Sequence, residues 1–449
     1  MTEKILSVST LSWMHDADQR KKLQFCDLVE MRLDDFSLDD FEQLKTFSLK
    51  PWILKTTSYE LLEAYLPFNP MWVDLDLFSM TDWVSKLQKK FKIILSAHLD
   101  CEFALIKQTL RKMKSFSVES YKLVVSPKNN LVALKTTYFL RKIRWKSLSC
   151  FCMGQDFTYS RFFGLIDQHP FIYLGFLDNF TAKGQIAIED IKNYQVFLSP
   201  PKILGLIGDP VEQSIGDLIY NQYFASQNIP AIYLKVRLKQ EEAKKGVFWL
   251  KKLEFIGLSV TTPLKGVFDG FYNTIDLRNG RFFNTDSLAL KLLLNRMPIV
   301  NKKALIIGFG AVGQESAKVL IEMGFKVFIF NRTKEKIVDF QKNYPVTLYQ
   351  DEREFFDIVI QTSSENFLTP MKKGFYHENA NFYIEAVSKP LFTFFLKKAI
   401  IEKKTVVLGF EWFLTQGFLQ MKNFFPSIDF SNFFDKMRPI AILEILKKH

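Results

Sequence analysis

Cysteine is nearly absent from this 449-residue chain. The four cysteines, Cys26, Cys101, Cys150 and Cys152, form no CxxC pair and no metal-ligand spacing, so a disulfide scaffold is excluded and no metal is expected. Such low use suits a reducing compartment. No stretch of about 18 uncharged apolar residues occurs, which excludes a membrane-spanning helix. The opening MTEKILSVST has no apolar core of the signal-peptide kind. A cytoplasmic location with no membrane partner is the expectation. The net charge is +12, yet arginine-rich tracts and aromatic–basic repeats are missing. The lysine excess therefore reads as a solvated surface that attracts small anions, and nucleic acid is not expected as a partner. Nothing in the sequence fixes an oligomeric state.

What is present begins with Ala304–Lys334. A short apolar run, Ala304–Ile307, breaks into Gly308-Phe309-Gly310-Ala311-Val312-Gly313. A helical pattern and a second apolar run, Lys326–Phe330, follow. This is strand, glycine loop, helix, strand at Rossmann spacing. Gly308 permits the tight turn, Gly310 admits a pyrophosphate to the backbone, and Gly313 lets helix and strand pack closely. Residues 308, 310, Ala311, Val312 and 313 are candidate cofactor contacts at a helix N-terminus. The second strand ends in Asn331-Arg332-Thr333, where an NAD site wants an acid. A guanidinium suits a 2′-phosphate, so NADP is the expected cofactor.

Before residue 200 the pattern differs. Eight short apolar runs alternate with helix patterns: Ile5–Val8, Leu28–Leu33, Trp52–Lys55, Trp72–Leu77, Lys92–Ser96, Tyr121–Val125, Leu148–Met153 and Phe171–Leu174. That alternation predicts a compact (β/α)8 barrel. Pro200-Pro201 is the candidate linker. Charged and polar residues gather where these strands end: Glu30 and Arg32, Asp74 and Asp76, His98, Lys122, Arg161, Thr181 and Gln185. Burying so many polar groups is costly unless they are paired or used. Desolvation and neighbouring cations would lower the pKa of Lys122, freeing its amine to attack a ketone. The imine acidifies the adjacent C–H. His98, oriented by Asp76, would remove that proton and pass it to a β-hydroxyl, completing a dehydration.

The pieces VEMRLD, VDLDL, ILSAHLD, YKLVV, MGQDFTYSR and TAKGQ resemble type I 3-dehydroquinate dehydratase over the first 195 residues. The resemblance implies an imine between Lys122 and 3-dehydroquinate, with His98 as acid/base. Arg161, Thr181 and Gln185 would hold the carboxylate and ring, and Glu30 and Arg32 the hydroxyls. Asp76 stands where that family has Glu, and Lys55 where it has Arg. The glycine-rich loop expected after Lys55 is missing.

LGLIGDPVEQSIGDLIYNQYF, FIGLSVTTPLKG, NTI, NTD, the glycine loop with NRT, and GFEWFLTQGF resemble shikimate dehydrogenase, in order, from Lys202 to about Phe425. The resemblance implies hydride transfer from NADPH to a ring ketone, with Lys265 and Asp286 as the proton-donating pair. Ser214, Thr261, Asn273 and Gln416 would bind carboxylate and hydroxyls. Gly216, Ser259, Gln361 and Val387 depart from that family's pattern, and the segment between Lys265 and Asn273 is short.

The expected architecture is a barrel over 1–199, a substrate-binding domain over 202–298 with helices 414–449, and a Rossmann domain over 299–413. The expected function is bifunctional: dehydration of 3-dehydroquinate to 3-dehydroshikimate, then its reduction to shikimate. The alternative is an active dehydratase carrying a divergent dehydrogenase-like half.

Overall fold

In the computed structural model, residues 2–9, 16–36, 50–100, 102–191, 194, 200–350, 353–363 and 376–447 are described. They form two compact units, one of residues 1–212 with 220–256, the other of 213–219 with 257–449.

The first unit opens with nine strands: β1 (Glu3–Val8), β2 (Leu28–Arg32), β3 (Trp52–Lys55), β4 (Trp72–Asp76), β5 (Lys92–Asp100), β6 (Ser120–Ser126), β7 (Leu148–Cys152), β8 (Phe171–Gly175) and β9 (Ile186–Ala187). All eight expected runs are strands. Their burial on both faces explains why each reads as a continuous apolar run. The parallel ladder runs β7-β6-β5-β4-β3-β2-β1-β8-β9, so the sheet curls and its ends are β7 and the β8–β9 pair. Between β7 and β8 a side chain substitutes for a ladder. The hydroxyl of fully buried Ser149 accepts a hydrogen bond from the Phe171 N–H at 3.0 Å.

Helices follow the strands on the outer side, and their starts are legible locally. Ser58 caps Tyr59–Tyr65 by accepting from Leu61 N, and Asn129 caps Asn130–Arg141 by accepting from Val132 N. Cys26, Cys150 and Cys152 are buried and are not joined in disulfides.

After Pro200-Pro201 the chain enters β10 (Lys202–Gly208), which pairs in parallel with β11 (Ala231–Arg237) over seven residues. The helix Ala243–Lys252 then lies against Asn130–Arg141, with Trp249 against Tyr138 and Arg141 donating to the Leu253 carbonyl at 2.9 Å.

β12 (Phe255–Val260), which belongs to the second unit from Gly257 onward, is followed by β13 (Thr274–Asp276) and β14 (Arg281–Phe283), paired antiparallel. A six-stranded parallel sheet comes next: β15 (Lys303–Ile307), β16 (Lys326–Phe330), β17 (Val346–Leu348), β18 (Phe356–Gln361), β19 (Ala380–Glu385) and β20 (Thr405–Val407). Its spatial order is β17-β16-β15-β18-β19-β20. This is the doubly wound Rossmann order, with its switch point between β15 and β18. The long helices Gly409–Phe424 and Phe433–Lys447 close the chain, the first packed on Thr285–Leu294. Among the described residues no helix is long and apolar enough to cross a membrane.

The Ser149 bridge is testable. Ser149→Ala leaves the Phe171 N–H buried and unpaired, and should destabilise the barrel by about 1–3 kcal/mol. Urea unfolding followed by tryptophan fluorescence measures it; an unchanged midpoint would show that the seam does not need this bond.

Candidate active sites

The barrel interior carries charge where branched apolar side chains usually fill the layers. Strand register sets Ser7 beside Glu30, Lys55 beside Asp74 and Ser96 beside Lys122. Lys122 Nζ donates to Glu30 Oε2 at 3.1 Å and to Asp74 Oδ2 at 3.3 Å, and lies 3.9 Å from the centre of the Tyr173 ring. Lys55 Nζ donates to the other Asp74 oxygen at 2.7 Å and to Ser96 Oγ at 2.8 Å. Ser7 Oγ donates to Glu30 Oε1 at 2.9 Å. Two ammonium and two carboxylate groups thus alternate in the core, each residue at most 7% exposed.

This geometry corrects the expectation for Lys122. Burial does oppose its charge, but Glu30 and Asp74 outweigh burial, and the ammonium pKa is raised above its ordinary value. Burial alone would likewise push the Asp74 carboxyl up. Lys55 and then Lys122 outweigh that effect and hold it well below the usual carboxylate range.

His98 lies inside β5 rather than at its end, because the strand runs on to Asp100. The residue is exposed, yet the protein around it desolvates the ring. That desolvation comes first, Lys122 and Lys55 add to it, and the imidazole pKa falls to about 4. The His98 imidazole is therefore neutral at pH 7. Asp76 does not orient it. The shorter side chain folds onto its own turn, where Oδ1 accepts from Phe78 N at 2.9 Å and from Ser79 N and Oγ at 3.0 Å.

One pocket at this mouth is lined by Ser7, Glu30, Arg32, His98, Lys122, Arg161, Tyr173, Thr181 and Gln185, with four further residues. Arg161 is 4% exposed, donates through Nη2 to the Lys183 carbonyl at 3.2 Å, and keeps Nε buried without a partner. Burial pushes its guanidinium pKa below the ordinary value. Arg32 donates to the Thr181 carbonyl at 3.0 Å. Gln185 Oε1 accepts from Thr181 Oγ1 and Ala182 N, which folds the 181–185 loop around this amide. Tyr173, whose hydroxyl is buried and unpartnered, had no polar signature in its apolar strand and was not expected at the site.

In the second unit, Lys265 Nζ meets Asp286 Oδ2 at 2.5 Å, both side chains under a fifth exposed. The Trp412 indole N–H donates to the Asp286 carbonyl at 3.0 Å. Lys265 sits in the single turn Leu264–Gly266, and the short segment closes when Tyr272 N donates to the Lys265 carbonyl. Asn273 Nδ2 donates to Gln416 Oε1 at 3.3 Å, and Asn273 Oδ1 accepts from Thr285 N at 2.8 Å. Gln420, one helical turn beyond Gln416, accepts from Ser259 Oγ at 2.8 Å and donates to the Asn273 carbonyl at 3.1 Å. Gln420 and Thr285 were not expected; the i, i+4 spacing of Gln416 and Gln420 was the available signal. Ser214 Oγ accepts from Gly216 N at 3.1 Å. Thr261 is half-buried at the end of β12.

The glycine loop fits a dinucleotide. Gly308 has φ +88° and faces Ser363, whose backbone N lies 2.7 Å from where a Cβ would sit. A Cβ at Gly313 would lie 2.4 Å from the Gly308 carbonyl oxygen. Before Gly310 there is open space within 4 Å. The helix Ala311–Glu322 starts there with no side-chain cap, leaving its N–H groups, including those of Ala311 and Val312, for a ligand. Asn331 is occupied internally: it accepts from Phe309 N at 3.1 Å and donates to the Thr333 carbonyl at 2.9 Å, shaping the loop. Arg332 is exposed beside it.

Fold and sites define an enzyme that joins a barrel built around a buried lysine to a two-lobed Rossmann dehydrogenase. Residues 50–199 match the type I 3-dehydroquinase family, 206–276 the shikimate dehydrogenase substrate binding domain, and 291–370 shikimate / quinate 5-dehydrogenase. The chain is 29% identical to the shikimate biosynthesis protein AroDE of Chlamydia pneumoniae, over 90% of this chain and 91% of that relative. It is 31% identical to a shikimate dehydrogenase (NADP(+)) of Aquifex aeolicus, over 36% of this chain and 68% of that relative. A solved structure of dehydroquinate dehydratase and shikimate dehydrogenase from S. pombe AroM is similar at 19% identity and a TM-score of 0.45, over 98% of each chain. The chain belongs to the family of bifunctional enzymes that combine type I 3-dehydroquinase with shikimate dehydrogenase.

Two outcomes follow from these geometries. In an NMR titration of the free protein, the His98 imidazole should turn over near pH 4 instead of the ordinary value of about 6.5. Lys122→Met should move that midpoint upward, because a neighbouring cation is lost; a wild-type midpoint at the ordinary value would contradict the account. In the loop, Gly310→Ala should leave the melting temperature unchanged yet weaken dinucleotide binding measured by fluorescence titration. Gly313→Ala should lower the melting temperature itself. Equal effects of the two on stability would remove the distinction.

Proposed function

We propose that the barrel dehydrates 3-dehydroquinate to 3-dehydroshikimate through an imine on Lys122, with His98 as acid and base. The observation that carries this is a buried ammonium caged by two carboxylates in one pocket with a neutral imidazole and an arginine whose Nε has no partner. Arg161 takes the substrate carboxylate, which supplies its missing partner. Lys122 first passes a proton to Glu30 Oε2. The amine lone pair then bonds to the ketone carbon, and the ketone oxygen collects two protons and leaves as water. Ammonium and ketone thus give an iminium and one water. His98 removes a proton from the carbon beside the iminium, and the C–H electrons move toward nitrogen. The imidazolium returns the proton to the β-hydroxyl, the C–O bond breaks, and a second water leaves. Hydrolysis restores the lysine and releases 3-dehydroshikimate.

The second unit reduces that ketone to shikimate. NADPH supplies the hydride when bound. Gly308, Gly310 and Gly313 make the room for its pyrophosphate, and Arg332 with Thr333 takes the 2′-phosphate. Lys265, held by Asp286, donates a proton to the ketone oxygen and recovers it from solvent. Asn273 and Gln416, fixed by Thr285 and Gln420, bind ring hydroxyls; Ser214 and Thr261 serve the carboxylate. We read three functional segments here: a barrel over 1–199, a substrate-binding region over 202–298 with 414–449, and a cofactor-binding region over 299–413. The intact Lys265–Asp286 pair supports an active dehydrogenase over a ligand-binding remnant.

A single assay tests both halves: 3-dehydroquinate plus NADPH should yield shikimate with stoichiometric NADPH oxidation. Accumulation of 3-dehydroshikimate without oxidation would leave only the dehydratase. His98→Ala should still form the Lys122 adduct but dehydrate about 10²–10⁴-fold more slowly; retained turnover would assign the base elsewhere.

A further inference from the structure

We propose that Lys55, acting through the shared carboxylate of Asp74, is a positioning residue that sets the charge state in which Lys122 meets its substrate. The proposal rests on the imine reading of Lys122.

Asp74 divides its two oxygens between two cations. Oδ1 faces Lys55 at 2.7 Å and Oδ2 faces Lys122 at 3.3 Å. The shorter contact belongs to the lysine that has no place in the proposed chemistry. Lys55 does not line the mouth pocket; its head is spent on Asp74 inside the layer. A second bond, to Ser96 Oγ on β5, fixes its head.

The groups around Lys122 are few. Glu30 approaches from β2, Asp74 from β4, His98 from β5 and the uncharged Tyr173 ring from β8. On β7 its register partner is Ser149. Lys55, on β3, balances the second carboxylate. With both lysines charged the layer is neutral. Without Lys55, Asp74 and Glu30 both fall to Lys122, which then holds its proton more tightly and attacks a ketone less readily. Lys55 therefore weakens the grip of Asp74 on Lys122 without touching the reacting atoms.

The full-length protein is mixed with 3-dehydroquinate at about pH 7 and about pH 9, quenched into borohydride at intervals, and the reduced adduct on Lys122 is measured by peptide mass. If wild type forms no adduct, the imine reading fails and takes this inference with it. Where wild type traps, Lys55→Met should form the adduct about tenfold more slowly at both pH values. Lys55→Arg, which keeps the charge, should stay near wild type. Lys55→Met combined with Asp74→Asn should return the rate toward wild type. An unchanged or faster rate in Lys55→Met overturns the proposal, as does an equal loss in Lys55→Arg. If Lys55→Met does not fold, Asp74→Asn decides. It should speed adduct formation, since Lys122 loses an anion while Lys55 stays, and an unmoved rate overturns the proposal.

Discussion

Asp74 stands between two lysines in the dry centre of the barrel, and the first unit is organised around that placement. A carboxylate with no exposure is sustainable only beside cations, and each cation needs its own further acceptor. Lys55 finds Ser96, Lys122 finds Glu30, and Glu30 finds Ser7. The chain of contacts runs through β1, β2, β3, β4, β5 and β6, so the register of six strands is fixed by one polar layer. A slip of one residue in β4 would turn Asp74 outward and leave two buried ammonium groups facing Glu30 alone. Breaking a buried ion pair by removing one partner typically costs about 3–5 kcal/mol. The same layer that holds Lys122 thus also penalises misregistered barrels.

The second unit keeps its substrate-facing amides in place with neutral hydrogen bonds. Ser259 Oγ donates to Gln420 Oε1 on the helix that carries Gln416. Because Gln420 also donates to the Asn273 carbonyl and the Thr274 hydroxyl, strand β13 is tied to the helix that carries Gln416. Ser259, a departure from the family pattern, thus has a buried partner 161 positions away. Nothing in the structure accounts for Gly216 or Val387.

The barrel strands and the Rossmann core were legible because each is a buried parallel strand, written as an apolar run bounded by turn residues. The glycine roles followed from sterics that any Cβ would violate. Charge balance was not legible. Lys122 was expected to lose its proton by burial, because a linear sequence does not show that Glu30 and Asp74 converge on it within 3.3 Å. Asp76 was expected on His98, because alternation along a strand says which face a side chain takes but not whether it bends back to its own turn. Asn331 reads as a cofactor contact from its place after β16, and its sequence does not show that it also shapes the loop through Phe309 N and the Thr333 carbonyl. Tyr173 was silent for a different reason: inside FIYLG an inward tyrosine and a core tyrosine have the same sequence.

Both proposed reactions turn on a lysine beside a carboxylate, and the surroundings decide what each can do. Lys122 is caged, 6% exposed, and between two anions. It cannot trade its proton with water at will, so its proton must move within the layer before nitrogen can become a nucleophile. That restriction is useful, because an amine freely available at the mouth would react with any carbonyl that entered. Lys265 has one partner, lies in a three-residue turn and is 18% exposed at its side chain. A proton donated from there is replaced directly from solvent, which suits a residue that must be a proton donor once in every cycle. In the proposed reactions the caged lysine serves covalent chemistry and the more open one serves proton transfer.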